Sequence, residues 1–446
     1  MPHEADYEWL AVGLANHLLA SKWNRPKLIE TASLFLRREK RDGVGKLIDD
    51  ILDRQLQSYP PQEHDLADLI LNSRHYRREA IYIAKDWADR GLEFYPPAFN
   101  PSPKFRGLRV PELTTQGDLA AWLGLSIGEF DWFTDDKRLA GQTLIPDLQH
   151  YWYHFVPKRS GAPRLVEAPK PRLKTMQRRV LSDILSQMPA HPAAHGFVAG
   201  RSCLSAAQVH ASEAVVISLD LQNFFVSTPL RRVHGIFRSL GYPHLTARAL
   251  TGLVSTATPD RVFNRPDAGG AHAVHVRRDH AARHLPQGAP TSPALANLAA
   301  RQLDVRLTGL VDAFAARYTR YADDLTFSGD AAFARRSGPF IRLVEEIVED
   351  AGYRLNASKT RVLPRSMQQR VTGAVVNDHV NVARKDYDRL KAILHNCIRN
   401  GPHDQNRDGV ADFRAHLDGR VMWVEQVNPQ RGAKLRMLFN GISWPE

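Results

Sequence analysis

The chain has 446 residues, more than one ordinary domain needs, and 43% of them are hydrophobic, enough to fill more than one core. Its 60 Lys and Arg against 48 Asp and Glu leave a net charge of +12, which suits a polyanionic partner. Cys203 and Cys397 alone exclude a disulfide framework and a cysteine metal cluster. No apolar run nears the ~18 residues of a membrane span and the start is no signal peptide, so a soluble, cytoplasmic protein with no membrane partner is expected.

Residues 1–95 read as helical. Trp9, Leu10, Val12, Leu14, Leu18 and Leu19 recur at helical spacing, as do Leu47, Ile48, Ile51 and Leu52. Breaks fall at Asn24-Arg25-Pro26, Tyr59-Pro60-Pro61 and Tyr95-Pro96-Pro97. The charge run from Arg37 to Arg41 reads as a solvated helix face in preference to an RNA contact. Residues 96–150 combine a linker, marked by Pro, Asn, Ser and Gly from Phe94 to Pro111, with a small helical unit that Asp118 is expected to cap.

Between Pro157 and Val180 stand Lys158, Arg159, Arg164, Lys170, Arg172, Lys174, Arg178 and Arg179, with Glu167 the only acid. Such a cluster is able to cradle a triphosphate or a template backbone, Arg holding phosphate oxygens in pairs and Lys acting as a point charge; singly, each Lys reads equally well as solvated. Val215-Val216-Ile217-Ser218-Leu219-Asp220 is an apolar β-branched run that should deliver a carboxylate at the tip of a buried strand. The polar stretch Thr258–His284 shows no clear period. Its His272, His275, His280 and His284 lack a cysteine partner, and they read as part of a nucleic-acid-facing loop in preference to a zinc site.

Arg320–Gly329 places Asp323 and Asp324 between β-favouring residues, the pattern of a short hairpin. Two adjacent carboxylates at a tight turn, joined by Asp220, suit two hard cations ~3.5–4 Å apart that clamp an in-line phosphoryl displacement. An amphipathic helix is expected over Phe340–Ala351, with Ile341, Val344, Ile347 and Val348 on one side. Asp404–Gly409 imitates the start of a calcium loop, but its twelfth position is Ala415 where that loop needs Glu.

Tyr321-Ala322-Asp323-Asp324 is the palm signature of reverse transcriptases. Asp220–Phe225 resembles the first catalytic motif of that family and Leu285–Pro293 the second. The wording Gly288-Ala289-Pro290-Thr291-Ser292-Pro293, Leu325-Thr326-Phe327-Ser328-Gly329 and Val371-Thr372-Gly373 is most similar to bacterial retron enzymes, and the match runs from about Tyr151 to the C-terminus. The resemblance implies an α+β right-hand polymerase with a helical N-terminal extension, fingers and palm over 151–365 and an RNA-binding thumb over 366–446.

It also implies roles. Asp220, Asp323 and Asp324 become catalytic and, with the carbonyl of Leu221, hold two Mg²⁺, with Mn²⁺ as a substitute. Lys158 and Arg164 align with residues that hold the phosphates of the incoming dNTP. Phe225 matches the ring that blocks a ribose 2′-OH, while Phe224 is expected in the core. Gln287 meets the nascent base pair. Lys359 serves the departing pyrophosphate, as general acid or by neutralising charge. His195–Ser202 resembles a block whose glycines let backbone approach nucleic acid. Retron enzymes usually show Asn-Ala-x-x-His before the first catalytic strand; here the block reads Ala206-Ala207-Gln208-Val209-His210, which leaves family-specific RNA handling open and His210 free to be a structural residue.

The partners so implied are a cognate noncoding RNA, its RNA–DNA product, dNTPs and an effector protein encoded nearby, with a role in phage defence. Alternatives are a reverse transcriptase of abortive-infection or group II intron type, or a catalytically idle RNA-binding scaffold.

Overall fold

The computed structural model describes residues 4–36, 42–53, 63–77, 80, 98–135, 141, 143, 145–157, 163–268 and 273–444. The chain divides into two compact units, each drawn from two separated stretches: Met1–Met188 with Pro229–Leu295, and Pro189–Thr228 with Ala296–Glu446.

In the first unit, the helices Glu4–Leu19, Arg25–Phe35, Asp42–Asp53 and Glu63–Asn72 bury Leu14, Leu18, Leu28, Leu47, Ile48, Leu66 and Ile70 in a shared core. The helical reading of this segment holds where the chain is described. The charge run 37–41 and the breaks at 59–61 and 95–97 lie outside the described residues. Asn24 does begin a helix, accepting from the Lys27 amide at 3.0 Å, with proline in the first turn.

Helix Gln116–Leu123 follows, and its cap differs from expectation. Thr115 is the N-cap and Asp118 stands three residues inside, closing a capping box. A carboxylate at that position reaches back to the amides of Thr114 and Thr115, which a cap residue itself has no means to do.

Strands β1 (Tyr151–Val156) and β2 (Arg164–Pro169) form an antiparallel hairpin, with Tyr151 opposite Pro169 and Val156 opposite Arg164. The stretch read as a polar loop is partly helical, over Ala273–Ala281, and it buries His280 and His284. His272 and the side chain of His275 lie outside the described residues.

The second unit is built on a four-stranded antiparallel sheet. Its strands are β3 (Val215–Asp220), β4 (Arg317–Tyr321), β5 (Asp324–Gly329) and β6 (Arg361–Pro364), ordered β4-β5-β3-β6. Central β3 is buried along nearly its whole length, which explains its continuous apolar run. Helix Ser337–Asp350 buries Phe340, Val344 and Val348, and the Phe340 ring lies 5.1 Å from that of Phe327 on β5. Beyond the sheet, helices Arg384–Asn400, Phe413–Val427 and Pro429–Asn440 enclose a core of Leu390, Leu394, Leu417, Val421 and Leu435. Among the described residues, no helix is long and apolar enough to cross a membrane.

Candidate active site

The register of the second unit's sheet assembles the carboxylates. β3 and β5 pair so that Asp220 stands opposite Asp324, and the turn between β4 and β5 carries Asp323. Ala322 adopts φ 57° in that turn, and the Leu221 amide donates to the Asp323 carbonyl at 2.9 Å, tying the turn to the end of β3. Asp220 is buried, and the Lys359 ammonium donates to its Oδ2 at 2.8 Å.

Burial pushes the Asp324 carboxyl up to about 6, with Asp323 and Asp220 adding repulsion and Lys359 opposing it. Its side chain reaches solvent, yet protein surrounds it on enough sides to penalise the charge. Burial works to lower the Lys359 pKa, but the hydrogen bond it donates to Asp220 and the charges of Asp220, Asp323 and Asp324 raise it overall. A site this short of positive charge has the donor set a hard divalent cation prefers: carboxylate oxygens around a cluster that resists full ionisation alone.

Behind the turn lies a buried network that sequence reasoning missed. Arg320, wholly buried, donates to both oxygens of buried Asp304 at 2.8 and 2.6 Å, to Asn297 at 2.8 Å and to the Ala322 carbonyl at 3.1 Å. Tyr318 adds a 2.8 Å hydrogen bond to Asp304. The one available signal was an Arg between the β-favouring Thr319 and Tyr321, and a charge buried in such a strand demands a paired acid. The charge cannot point to its partner in sequence.

Gly196 explains a second support. Its segment pairs with β4, through His195 N to Arg320 O and Arg320 N to Ala193 O, both 2.7 Å. A Cβ on Gly196 would stand 2.6 Å from the Ala322 nitrogen. The close approach made possible there is to the Asp323–Asp324 turn itself, where nucleic acid was expected.

Phe224 is buried against Tyr353 and beneath the Arg320 guanidinium. Phe225 is half-buried, 6.2 Å from the exposed ring of Phe197, whose backbone sits at φ 60°. His210 is structural. It bonds Ser328 at 2.7 Å and Thr319 at 2.8 Å, and burial, with His195 and Arg317 nearby, pushes its pKa down to about 3. Ala206 is fully buried in helix Cys203–Val209.

The second unit thus brings together Asp220, Leu221, Phe225, Asp323, Asp324 and Lys359. In the first unit, Arg164 is exposed at the start of β2, and the Glu167 amide donates to the Gln287 carbonyl at 2.9 Å. Gly288 follows at φ 141°, where a Cβ would meet the Glu167 carbonyl at 2.9 Å. Lys158 lies outside the described residues.

Residues 156–375 match the family described as reverse transcriptase (RNA-dependent DNA polymerase). The chain is 39% identical over 327 residues to the Retron Mx65 reverse transcriptase of Myxococcus xanthus, across 73% of this chain and 71% of that protein. It belongs to the bacterial retron-type reverse transcriptases. Retron Mx162 reverse transcriptase of the same organism is 37% identical, across 72% of this chain and 66% of its own length. Retron Ec86 reverse transcriptase of Escherichia coli is 31% identical, across 53% and 65%.

As a retron-type reverse transcriptase the chain is an RNA-directed DNA polymerase, with an RNA template and nucleotide substrates. Its domain implies the palm, fingers and thumb fold, and the mixture of helix and sheet agrees. Reverse transcriptases use divalent metal ions, and the carboxylates of the second unit fit that requirement.

Proposed function

We propose that this enzyme copies one structured noncoding RNA into DNA, starting from an internal 2′-OH of that RNA and yielding a branched RNA–DNA molecule. The observation that carries the catalytic part is the convergence of Asp220, Asp323 and Asp324 at the end of one sheet, beside the Leu221 backbone. In this reading Asp220, Asp323 and Asp324, with the Leu221 carbonyl, would hold two Mg²⁺. When bound, those ions supply Lewis-acid activation of the attacking hydroxyl and of the leaving oxygen. The hydroxyl oxygen bonds to the α-phosphorus of the dNTP, the bond from that phosphorus to the bridging oxygen breaks, and pyrophosphate leaves.

Phe225 excludes the ribose 2′-OH of a wrong substrate. Lys359, an ammonium beside Asp220, offsets carboxylate charge in the free enzyme, and in this reading it neutralises pyrophosphate or protonates it. Lys158 and Arg164 hold triphosphate and Gln287 meets the nascent pair. The segments act as a helical extension (1–95), a lead-in (96–150), fingers and palm (151–365) and an RNA-gripping thumb (366–446). The retron names of the relatives support the retron reading; the branched product and a role in phage defence, with an effector encoded nearby, are proposed along with it. A cytoplasmic location suits an enzyme whose template is a transcript.

The test supplies the RNA transcribed upstream of the gene, dNTPs and Mg²⁺, and no primer. DNA should appear joined to RNA, keep a short RNA branch after single-strand ribonuclease, and shrink with a debranching enzyme. Product that ran only as free DNA extended from a 3′ end would remove the internal-priming reading and leave the polymerase.

A further inference from the structure

Glu167, the one acid among the basic residues of β2 and its neighbours, is fully buried, and two imidazoles face it. Nε2 of His284 lies 2.7 Å from its Oε2, and the Thr258 hydroxyl donates to its Oε1 at 2.6 Å. Nδ1 of His280 lies 2.7 Å from the Val276 carbonyl, and Nδ1 of His284 lies 2.8 Å from that of Ala282. A carbonyl oxygen only accepts, so both Nδ1 atoms carry protons; a neutral His280 then offers its lone pair at Nε2, and His284 does the same once a metal displaces the Nε2 proton it shares with Glu167. Holding one ring nitrogen on a backbone carbonyl is how metal-binding histidines are commonly oriented.

His280 is 5% exposed, and its ring is fixed through Nδ1 on the Val276 carbonyl. An imidazolium–carboxylate pair between His284 and Glu167 accounts for those two groups and uses no atom of His280. One ligand atom from each of Glu167, His280 and His284 lies within 4.8 Å of the others, and the two imidazole rings stand 4.9 Å apart at 80°. A tetrahedral ion with bonds of about 2.0–2.1 Å needs ligand atoms about 3.3 Å apart, longer than the 2.7 Å between His284 and Glu167 and inside the 4.8 Å that contains all three ligand atoms.

We infer that Glu167, His280 and His284 form a buried structural site for a transition metal, Zn²⁺ by preference, that shares no residue with the Asp220, Asp323 and Asp324 cluster. Two imidazole nitrogens and one carboxylate suit this borderline ion, whereas Mg²⁺ prefers oxygen ligands. Water or the Thr258 hydroxyl completes the coordination. Its purpose follows from what the ligands join. His284 immediately precedes Leu285-Pro286-Gln287, and its amide and carbonyl pair with Thr256 at 2.7 and 3.0 Å. Glu167 holds the Gln287 carbonyl. An ion at this point would lock the Gln287 segment to β2.

The test measures metal in the full-length protein expressed in zinc-supplemented medium and dialysed without chelator. About one Zn²⁺ per chain is expected, and Co²⁺ substitution should give the visible d–d bands of a tetrahedral nitrogen–oxygen site. His280→Gln keeps the Glu167–His284 pair, so it should fold while losing the metal and the Co²⁺ spectrum. Glu167→Gln should lose both as well. Trace metal in the wild type with no Co²⁺ bands, or equal metal in wild type and His280→Gln, would overturn the assignment. Neither result depends on whether the enzyme primes from a 2′-OH.

Discussion

Asp324 carries a cost that a cation should relieve. Its carboxyl titrates near 3.8 in the unfolded chain and at about 6 in the folded one. As pH rises between those values, the unfolded chain gives up its proton first, so stability falls, and the loss is complete above about 6. Asp324→Asn should therefore melt close to wild type in acid and higher than wild type at neutral pH, in metal-free buffer. Mg²⁺ should raise the wild type and not the variant. The same variant should lack primer extension; near wild-type synthesis would sink the catalytic role. The adjacent phenylalanines separate packing from selection. Phe224→Ala should cost about 3–5 kcal/mol, the loss typical of a buried Phe. Half-buried Phe225→Ala should instead admit ribonucleotides, read as the ratio of rNTP to dNTP incorporation on one template. An unchanged ratio would remove the gate.

The β4–β5 hairpin is where elements and chemistry meet. Arg320→Met leaves Asp304 charged and unpaired in the interior, which should cost about 3–5 kcal/mol in a denaturant titration. Arg320→Met with Asp304→Leu should regain much of that stability, because neither charge then remains. It should not regain synthesis, since the Ala322 carbonyl would still lose its donor. Wild-type synthesis in the double variant would make the network a stabiliser only. The hairpin, the Asp220 strand and the Phe340 helix were legible because each declares itself in a local period of apolar residues. Asp304, Gly196 and the Glu167–His280–His284 cluster were not, because their meaning lies in partners distant along the chain, such as Glu167 and His284, 117 positions apart. A polar stretch without periodicity gave no hint that it turns His280 and His284 inward.

Across the whole molecule, composition spoke for a polyanionic partner, while local pattern could not show that each of the two units is drawn from two separated stretches of chain. Charge and shape should divide RNA recognition between them. The excess of 12 positive charges attracts any RNA by releasing counterions, and that contribution falls steeply as salt rises. Recognition of one folded RNA through its unpaired bases, its contour and its 2′-hydroxyls adds contacts that release no counterions, and these lose less. Discrimination between the cognate RNA and a scrambled RNA of equal length should therefore persist as KCl is raised, even while both affinities drop. Binding isotherms for the two RNAs over a salt series give this directly, as two lines of log Kd against log salt of similar slope and large offset. Parallel lines with little offset would mean that phosphate charge alone governs binding. The enzyme would then owe its choice of template to transcription beside its own gene, and a substituted RNA with an equivalent branch hydroxyl would be copied as well.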